Sequence, residues 1–340
     1  MPQSCLAEPC QRAAFLRLLR AWADMIDWQA TAALFPGQGS QSLGMGADFA
    51  RRYAIARDTF AQADEILGFS LSAICWNNPA ALDQTANTQP ALYVTSMAIW
   101  RVLSDLLPAA QPAWMAGHSL GELSALTAAG ALDFADGLRL VRARGSLMQR
   151  AGEAQPGAMA AVLGLEMAVI RELCSTVTRE SGGTVVLAND NCPGQAVVSG
   201  DAPAVEKLID AARVAGARRA LRLAVSVAAH SPLMSAAQAD FDSAVQATAF
   251  TTPAIPVIAN VSAQPLNATE QIRAELNQQL TQPVRWAESM TALLCAGAHT
   301  FVEIGAGKVL TGLLRRIDRQ KKRINIDSAP ALESFLAAQA

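Results

Sequence analysis

The run Gly117-His118-Ser119-Leu120-Gly121 constrains this chain more than any other feature, because G-x-S-x-G marks a sharp strand-to-helix turn that exposes a serine hydroxyl at the end of a sheet. Its flanks fit that geometry: Pro112 to Ala116 reads as a short strand, and Glu122 to Leu132 as a run of helix formers. A strand followed by such an elbow and a helix implies a parallel sheet covered by helices, so the fold class expected is α/β. The order of elements up to about residue 150 agrees. A strand at Ala30 to Phe35 ends in the turn Pro36-Gly37-Gln38-Gly39, helices follow, and strand, elbow and helix come next.

Residues 158–225 change character. Ala158 to Leu163 reads as a strand, Glu166 to Glu180 as a helix, and Thr184 to Ala188 and Gln195 to Ser199 as strands about a Pro193-Gly194 turn. A helix at Ala202 to Ala215 and a strand at Arg219 to Val225 complete β-α-β-β-α-β, the ferredoxin-like split pattern, placed as an insertion. Pro253 to Val261 and His299 to Ile304 then resume the first domain. The expected organisation is an N-terminal amphipathic extension at 1–28, a discontinuous catalytic domain at 29–155 and 226–325, a small domain at 156–225 and a C-terminal tail at 326–340.

Composition narrows the function. The 340 residues, 51% of them hydrophobic, suffice for two domains of about 150 residues each. With 27 Lys+Arg against 29 Asp+Glu the net charge is −2, so no global field favours nucleic acid or an anionic membrane, and neither is expected as a partner. The uncharged stretches Gln84 to Trp100 and Leu106 to Gly121 are interrupted by Pro90, Pro108 and Pro112, and fall short of the ~20 apolar residues of a spanning helix. Six cysteines without a C-x-x-C pair argue against a disulfide framework or a zinc ribbon, and no compact apolar leader stands at the start; a cytoplasmic location is expected. No His/Cys cluster has metal-ligand spacing, so no metal is expected.

A serine at its ordinary pKa is a poor nucleophile and needs a base. Three histidines are available. His118 adjoins Ser119 on the sharp turn, where neighbouring side chains diverge, so it is expected to line the pocket. His299 opens an apolar run and reads as structural. His230, in Val227-Ala-Ala-His-Ser-Pro232, follows a strand and enters a proline-broken loop, where side chains commonly reach a site; it is the expected base.

A helix at 136–149 carries an apolar stripe of Gly137, Leu140, Val141, Leu147 and Met148, and Arg144 falls in its middle, whereas Arg139 and Arg142 fall outside. An inward guanidinium requires an anion, because an unpaired buried charge is prohibitive. Two partners meet that need: an internal Asp or Glu, or a substrate carboxylate held in a bidentate fork. Two glycine patterns fail as phosphate cradles. Gly37-Gln-Gly39-Ser-Gln-Ser42 lacks the third glycine of G-x-G-x-x-G, and Gly307-Lys308 is followed by Val309. The first of these turns is better suited to aim a backbone N–H at a developing oxyanion, as the Leu120 N–H would from the elbow.

Phe35-Pro-Gly-Gln-Gly-Ser-Gln41, Gly117-His-Ser-Leu-Gly-Glu122, Arg144-Gly145, Asn191-Cys-Pro-Gly-Gln195, Val227-Ala-Ala-His230 and Glu303-Ile-Gly-Ala-Gly-Lys-Val-Leu310 together resemble, in order and spacing, the malonyl-CoA:acyl carrier protein transacylase family over residues 30–317. The resemblance implies an α/β-hydrolase-like large domain carrying a ferredoxin-like small domain. It further implies ping-pong transfer of malonyl from malonyl-CoA to the phosphopantetheine thiol of an acyl carrier protein, for fatty-acid or polyketide synthesis, with no permanently bound cofactor. By the same resemblance Ser119 is acylated, His230 is its base, and the N–H groups of Gln38 and Leu120 form the oxyanion hole. Arg144 pairs with the malonyl carboxylate and Gln279 orients the histidine through its backbone carbonyl, with His118 and Asn191 in support. The family's carrier is typically acidic, so the run Arg315, Arg316, Arg319, Lys321, Lys322 and Arg323, opposed only by Asp318, is either a solvated helix end or a docking surface.

Departures from the pattern are few. Val227-Ala-Ala-His230 is smaller than most versions of that segment, which leaves room for a branched malonyl unit, whereas Leu120 resembles malonyl-specific members. Two rival functions are an acyl hydrolase of the same fold and a catalytically inactive docking subunit. Arg144 argues against the first, since a hydrolase of neutral acyl groups has no use for an inward cation. The presence of Ser119, His230 and Arg144 together argues against the second.

Overall fold

The computed structural model describes residues 26–225 and 227–338. Its strands in chain order are β1 (Thr31–Phe35), β2 (Trp114–Gly117), β3 (Gly157–Leu163), β4 (Val185–Cys192), β5 (Gln195–Asp201), β6 (Arg219–Arg222), β7 (Val257–Ile258), β8 (Pro265–Leu266), β9 (Thr300–Ile304) and β10 (Lys322–Ile326). They form two sheets. The larger has the order β10-β9-β1-β2-β7-β8, parallel except for the β7–β8 hairpin. Every residue of β1 and β9 is buried, the mark of central strands covered on both faces. The smaller sheet, β4-β5-β3-β6, is wholly antiparallel. With two helices between its strands it has the ferredoxin-like arrangement.

The helices that shape the site are α1 (Thr85–Leu106), α2 (Gly121–Ala128), α3 (Phe134–Ala154), α4 (Met167–Ser181), α5 (Ala202–Val214), α6 (Val309–Ile317) and α7 (Ala329–Ala337). Helices α4 and α5 cover the small sheet, where Ile170, Cys174, Val177, Val205 and Leu208 meet Val162, Val185 and Val198. Helix α3 starts at Asp133, whose side chain accepts the Ala135 N–H. Helix α1 runs straight through Pro90. The ring removes the N–H that would have bonded the Ala86 carbonyl, and Arg142 on α3 donates to that carbonyl instead.

Several boundaries differ from the sequence reading. Helix α2 stops at Ala128, because Gly130 adopts a left-handed turn (φ 75°). Strand β6 ends at Arg222; Leu223 still donates its N–H to Met159 of β3, and Leu223 to Val225 line the cavity described below. The strand expected over Pro253 to Val261 shrinks to Val257–Ile258, paired with Met115 and Ala116 of β2. Residues 322–337, whose second half reads as a tail, form the edge strand β10 and the helix α7, with Leu332 and Phe335 buried in the main core. The amphipathic extension expected over residues 1–28 lies almost entirely outside the described residues; Trp28–Ala30 form a single 3-10 turn capped by Asp27.

Among the described residues no helix is long and apolar enough to cross a membrane. Cys75, Cys174, Cys192 and Cys295 are free thiols.

Candidate active site

The elbow joins β2 to α2, and its glycines are required by contact. A Cβ on Gly117 would lie 1.9 Å from the Gly121 carbonyl, and one on Gly121 would lie 2.0 Å from the Phe35 carbonyl oxygen of the neighbouring strand. The turn between them forces Ser119 to φ 52°, a left-handed conformation that costs about 1–2 kcal/mol for a residue with a Cβ. Asn260, just after β7, holds it there. Its Oδ1 accepts the Ser119 N–H at 2.6 Å and its Nδ2 donates to the Gly117 carbonyl at 2.7 Å.

Ser119 Oγ lies 2.8 Å from His230 Nε2. The tautomer follows from the other ring nitrogen: His230 Nδ1 faces the carbonyls of Gln279 (2.8 Å) and Gln282 (3.1 Å), which can only accept, so Nδ1 carries the hydrogen and Nε2 keeps its lone pair for the serine. His230 is 3% exposed and, like Ser119, has a positive φ (58°). Burial first, and the charge of Arg144 second, push its pKa down to about 3, so the imidazole is neutral at physiological pH.

Arg144 comes from the middle of α3 and is 1% exposed. Its Nη2 donates to Ser119 Oγ at 3.0 Å, its Nη1 to Gln89 Oε1 at 2.7 Å and its Nε to Gln279 Oε1 at 3.0 Å. Neutral groups thus hold a buried cation, and no ion pair among the described residues includes it. Burial lowers its pKa to about 10, opposed by the charge of Glu122, so it remains a cation at neutral pH. Of the two partners the helix pattern left open, no internal carboxylate among the described residues touches it. Glu122 lies behind Gln279, whose amide stands between the two charges.

These groups open into a cavity of about 480 Å³ between the two sheets. Gly37, Gln38, His118, Ser119, Leu120 and Arg144 line it from the large sheet, and Met159, Asn189, Asn191 and Val197 from the small one. The backbone N–H groups of Gln38 and Leu120 have no acceptor among the described residues. Gly37 lets its turn approach the elbow, since a Cβ there would sit 2.2 Å from the His118 carbonyl oxygen. His118 Nε2 bonds Asn191 Oδ1 at 2.8 Å with its ring against Trp286, and burial lowers its pKa, so it is neutral and turned away from the serine.

His299 is exposed, 3.1 Å from Lys321 Nζ and outside the cavity. The loop at Gly305 to Lys308 is closed to phosphate by Glu303, whose carboxylate accepts the Leu310 and Thr311 N–H groups at the start of α6. Sequence reasoning missed Gln89 and Asn260, and the side-chain roles of Gln279 and Glu122. One signal was visible: Thr85-Ala-Asn-Thr-Gln89 is a polar run opening an otherwise apolar helix, and all of it is buried. Buried polar side chains need partners, and Gln89 finds Arg144. Glu122 itself is 0% exposed; burial first, and the nearby Glu275 second, raise its pKa well above the ordinary carboxylate range, against the smaller opposing effect of the bonds from Gln279 and Asn260.

Known proteins resemble this chain over most of its length. The acyl transferase domain family matches residues 33–332. The chain is 43% identical to the malonyl CoA-acyl carrier protein transacylase of Haemophilus influenzae over 309 residues, 90% of this chain and 98% of that one. It superposes with a TM-score of 0.88 and 42% identity on the malonyl-CoA:acyl carrier protein transacylase of Xanthomonas oryzae, covering 92% and 99% of the two chains. A malonyl-transacylase solved in complex with its type II polyketide synthase acyl-carrier protein gives a TM-score of 0.87 at 42% identity, covering 91% and 99%. With its elbow, its histidine and its inward arginine framed by such relatives, the chain belongs to the acyl transferase family, in the branch of the malonyl CoA-acyl carrier protein transacylases.

Proposed function

We propose that this chain moves a malonyl group from malonyl-CoA to the phosphopantetheine thiol of an acyl carrier protein through a seryl ester on Ser119, in fatty-acid or type II polyketide synthesis. One observation carries the reading: a fully buried arginine, held by two amides and a hydroxyl, points its Nη2 at the nucleophile. An uncompensated buried cation beside a nucleophile suits an acyl group that brings its own carboxylate. A hydrolase of neutral acyl chains would bear the cost of that cation without using it.

In the forward half-reaction, Ser119 Oγ passes its proton to His230 Nε2 as it attacks the thioester carbonyl. The oxyanion develops toward the N–H groups of Gln38 and Leu120, which have no other acceptor among the described residues. Collapse breaks the C–S bond, and the departing thiolate takes the proton from His230. In the second half, the carrier thiol gives its proton to His230 Nε2, attacks the ester carbonyl and restores the Ser119 hydroxyl. Gln279 supports His230 through its carbonyl, and His118 with Asn191 shapes the wall. The same reading divides the chain into a large domain at 29–155 and 226–325 and a small domain at 156–225, with the reaction in the cleft.

Intact-protein mass spectrometry after brief exposure to malonyl-CoA tests it. The expected result is one malonyl mass on the peptide holding Gly117 to Glu122, lost in Ser119→Ala and discharged by holo-carrier much faster than by water. A label elsewhere, or discharge by water alone, overturns the transfer reading.

A further inference from the structure

Glu122 lies in the first turn of α2, just past the nucleophile, fully buried and, among the described residues, with no cation in contact. Its Oε1 accepts the Asn260 N–H at 3.0 Å and its Oε2 accepts from the side-chain amide of Gln279. A glutamine of the same shape would avoid the desolvation of a charge. The reason for a carboxylate therefore lies in what glutamine cannot supply: two acceptors and no donor, matched here to two N–H groups. Both neighbours donate to it, which favours the ionised form, although burial and Glu275 raise its pKa well above the ordinary carboxylate range.

Gln279 has one amide to distribute. On one side is Arg144 Nε, which can only donate; on the other are Glu122 and the Ser119 carbonyl, which accept from Nε2, the latter at 3.2 Å. A carboxylate at 122 pins Nε2 to its own side and so turns Oε1 toward Arg144. The same Asn260 that Glu122 holds by its backbone also cradles Gly117 and Ser119.

We propose that Glu122 is a positioning residue for acyl selectivity: by fixing the Gln279 amide it aims the Arg144 guanidinium at the acyl carboxylate. The inference rests on the reading of Arg144 as the carboxylate clamp. In Glu122→Gln the new amide keeps its oxygen on the Asn260 N–H and turns its NH2 onto Gln279, which must flip to accept it. The flip sets Gln279 Nε2 against Arg144 Nε, two donors face to face, and the guanidinium swings off its aim.

The test is the kcat/KM for malonyl-CoA divided by that for acetyl-CoA, measured for wild type, Glu122→Gln, Glu122→Asp and Arg144→Ala. The expected result is a fall of at least tenfold in this ratio for Glu122→Gln, chiefly through the KM for malonyl-CoA, with a smaller fall for Glu122→Asp, which keeps two acceptors. A merely structural Glu122 would lower both substrates in proportion, and an unchanged ratio in Glu122→Gln while Arg144→Ala collapses it overturns this inference alone. An unchanged ratio in both variants overturns the clamp and this inference together. Wild-type protein decides if the variants do not fold. The side-chain NH2 of Gln279, followed by 15N NMR, should exchange with water at least a hundredfold more slowly than exposed glutamine amides, and exchange at their rate overturns the pinned amide.

Discussion

At the scale of single residues, the site is a set of donors and acceptors whose roles are fixed by what each neighbour cannot do. Two carbonyls on Nδ1 leave His230 Nε2 as the acceptor for Ser119, and the two amides on Arg144 leave its charge unmatched by a carboxylate among the described residues. Arg144→Ala should lower kcat/KM for malonyl-CoA by about 2–4 kcal/mol of transition-state binding, the range for truncating one partner of a buried charge pair. Acetyl transfer should fall far less. A parallel loss for both substrates with a lowered Tm would mark a structural arginine instead. The histidine makes a pH prediction. Its folded pKa, about 3, lies below its ordinary 6.5, so between those values the unfolded chain binds the proton more readily than the folded one. Its contribution to stability is therefore full above pH 6.5 and is lost as the pH falls toward 3. Thermal midpoints of wild type and His230→Ala should differ in slope between pH 7 and 5, with wild type the steeper; equal slopes would contradict a depressed pKa.

At the scale of elements, the lesson is how polar groups survive inside apolar helices. Helix α1 keeps Pro90 because Arg142 supplies the hydrogen bond that the ring removes, and it keeps Gln89 because Arg144 meets it. The cationic run at the end of α6 and beyond it is partly tied down as well. Arg316 donates to Gln195 and faces the carbonyls of Pro193 and Gly194, tying α6 to the β4–β5 turn, and Arg323 donates to the carbonyls of Asp318, Arg319 and Lys321. Arg315, Arg319 and Lys322 are exposed. If this face meets an acidic carrier, neutralising those three should raise the carrier KM and flatten its dependence on salt, while self-acylation by malonyl-CoA stays as in wild type. An unchanged carrier KM would leave the run as a solvated helix end.

At the scale of the whole molecule, the two sheets make one site. β4 bonds the segment before Trp286 through Asp190 and Val284, and Arg316 bridges from α6, so the two sides of the cavity are cross-linked. The far end of the chain belongs to this assembly as well. Leu332 is fully buried against the main core, so Leu332→Ala should cost about 2–5 kcal/mol and lower the Tm measurably, as expected for a large-to-small change in a packed core. A change within experimental error would mean that α7 is an appendage.

The chain's own order of residues determined the elbow, the parallel sheet around it and the split small sheet, because those depend on local turn chemistry and on the period of apolar residues. Elimination among three histidines singled out His230, and the position of Arg144 in an apolar stripe identified an inward cation. Tertiary structure decided what that cation meets. Gln89, Gln279, Asn260 and Glu122 come from four separate segments, and nothing in the spacing of any one of them says that they share a hydrogen-bond network. It also decided the ends of strands and the fate of residues 326–338, since a two-residue strand such as β7 or an edge strand such as β10 is held by its neighbours' hydrogen bonds rather than by its own sequence.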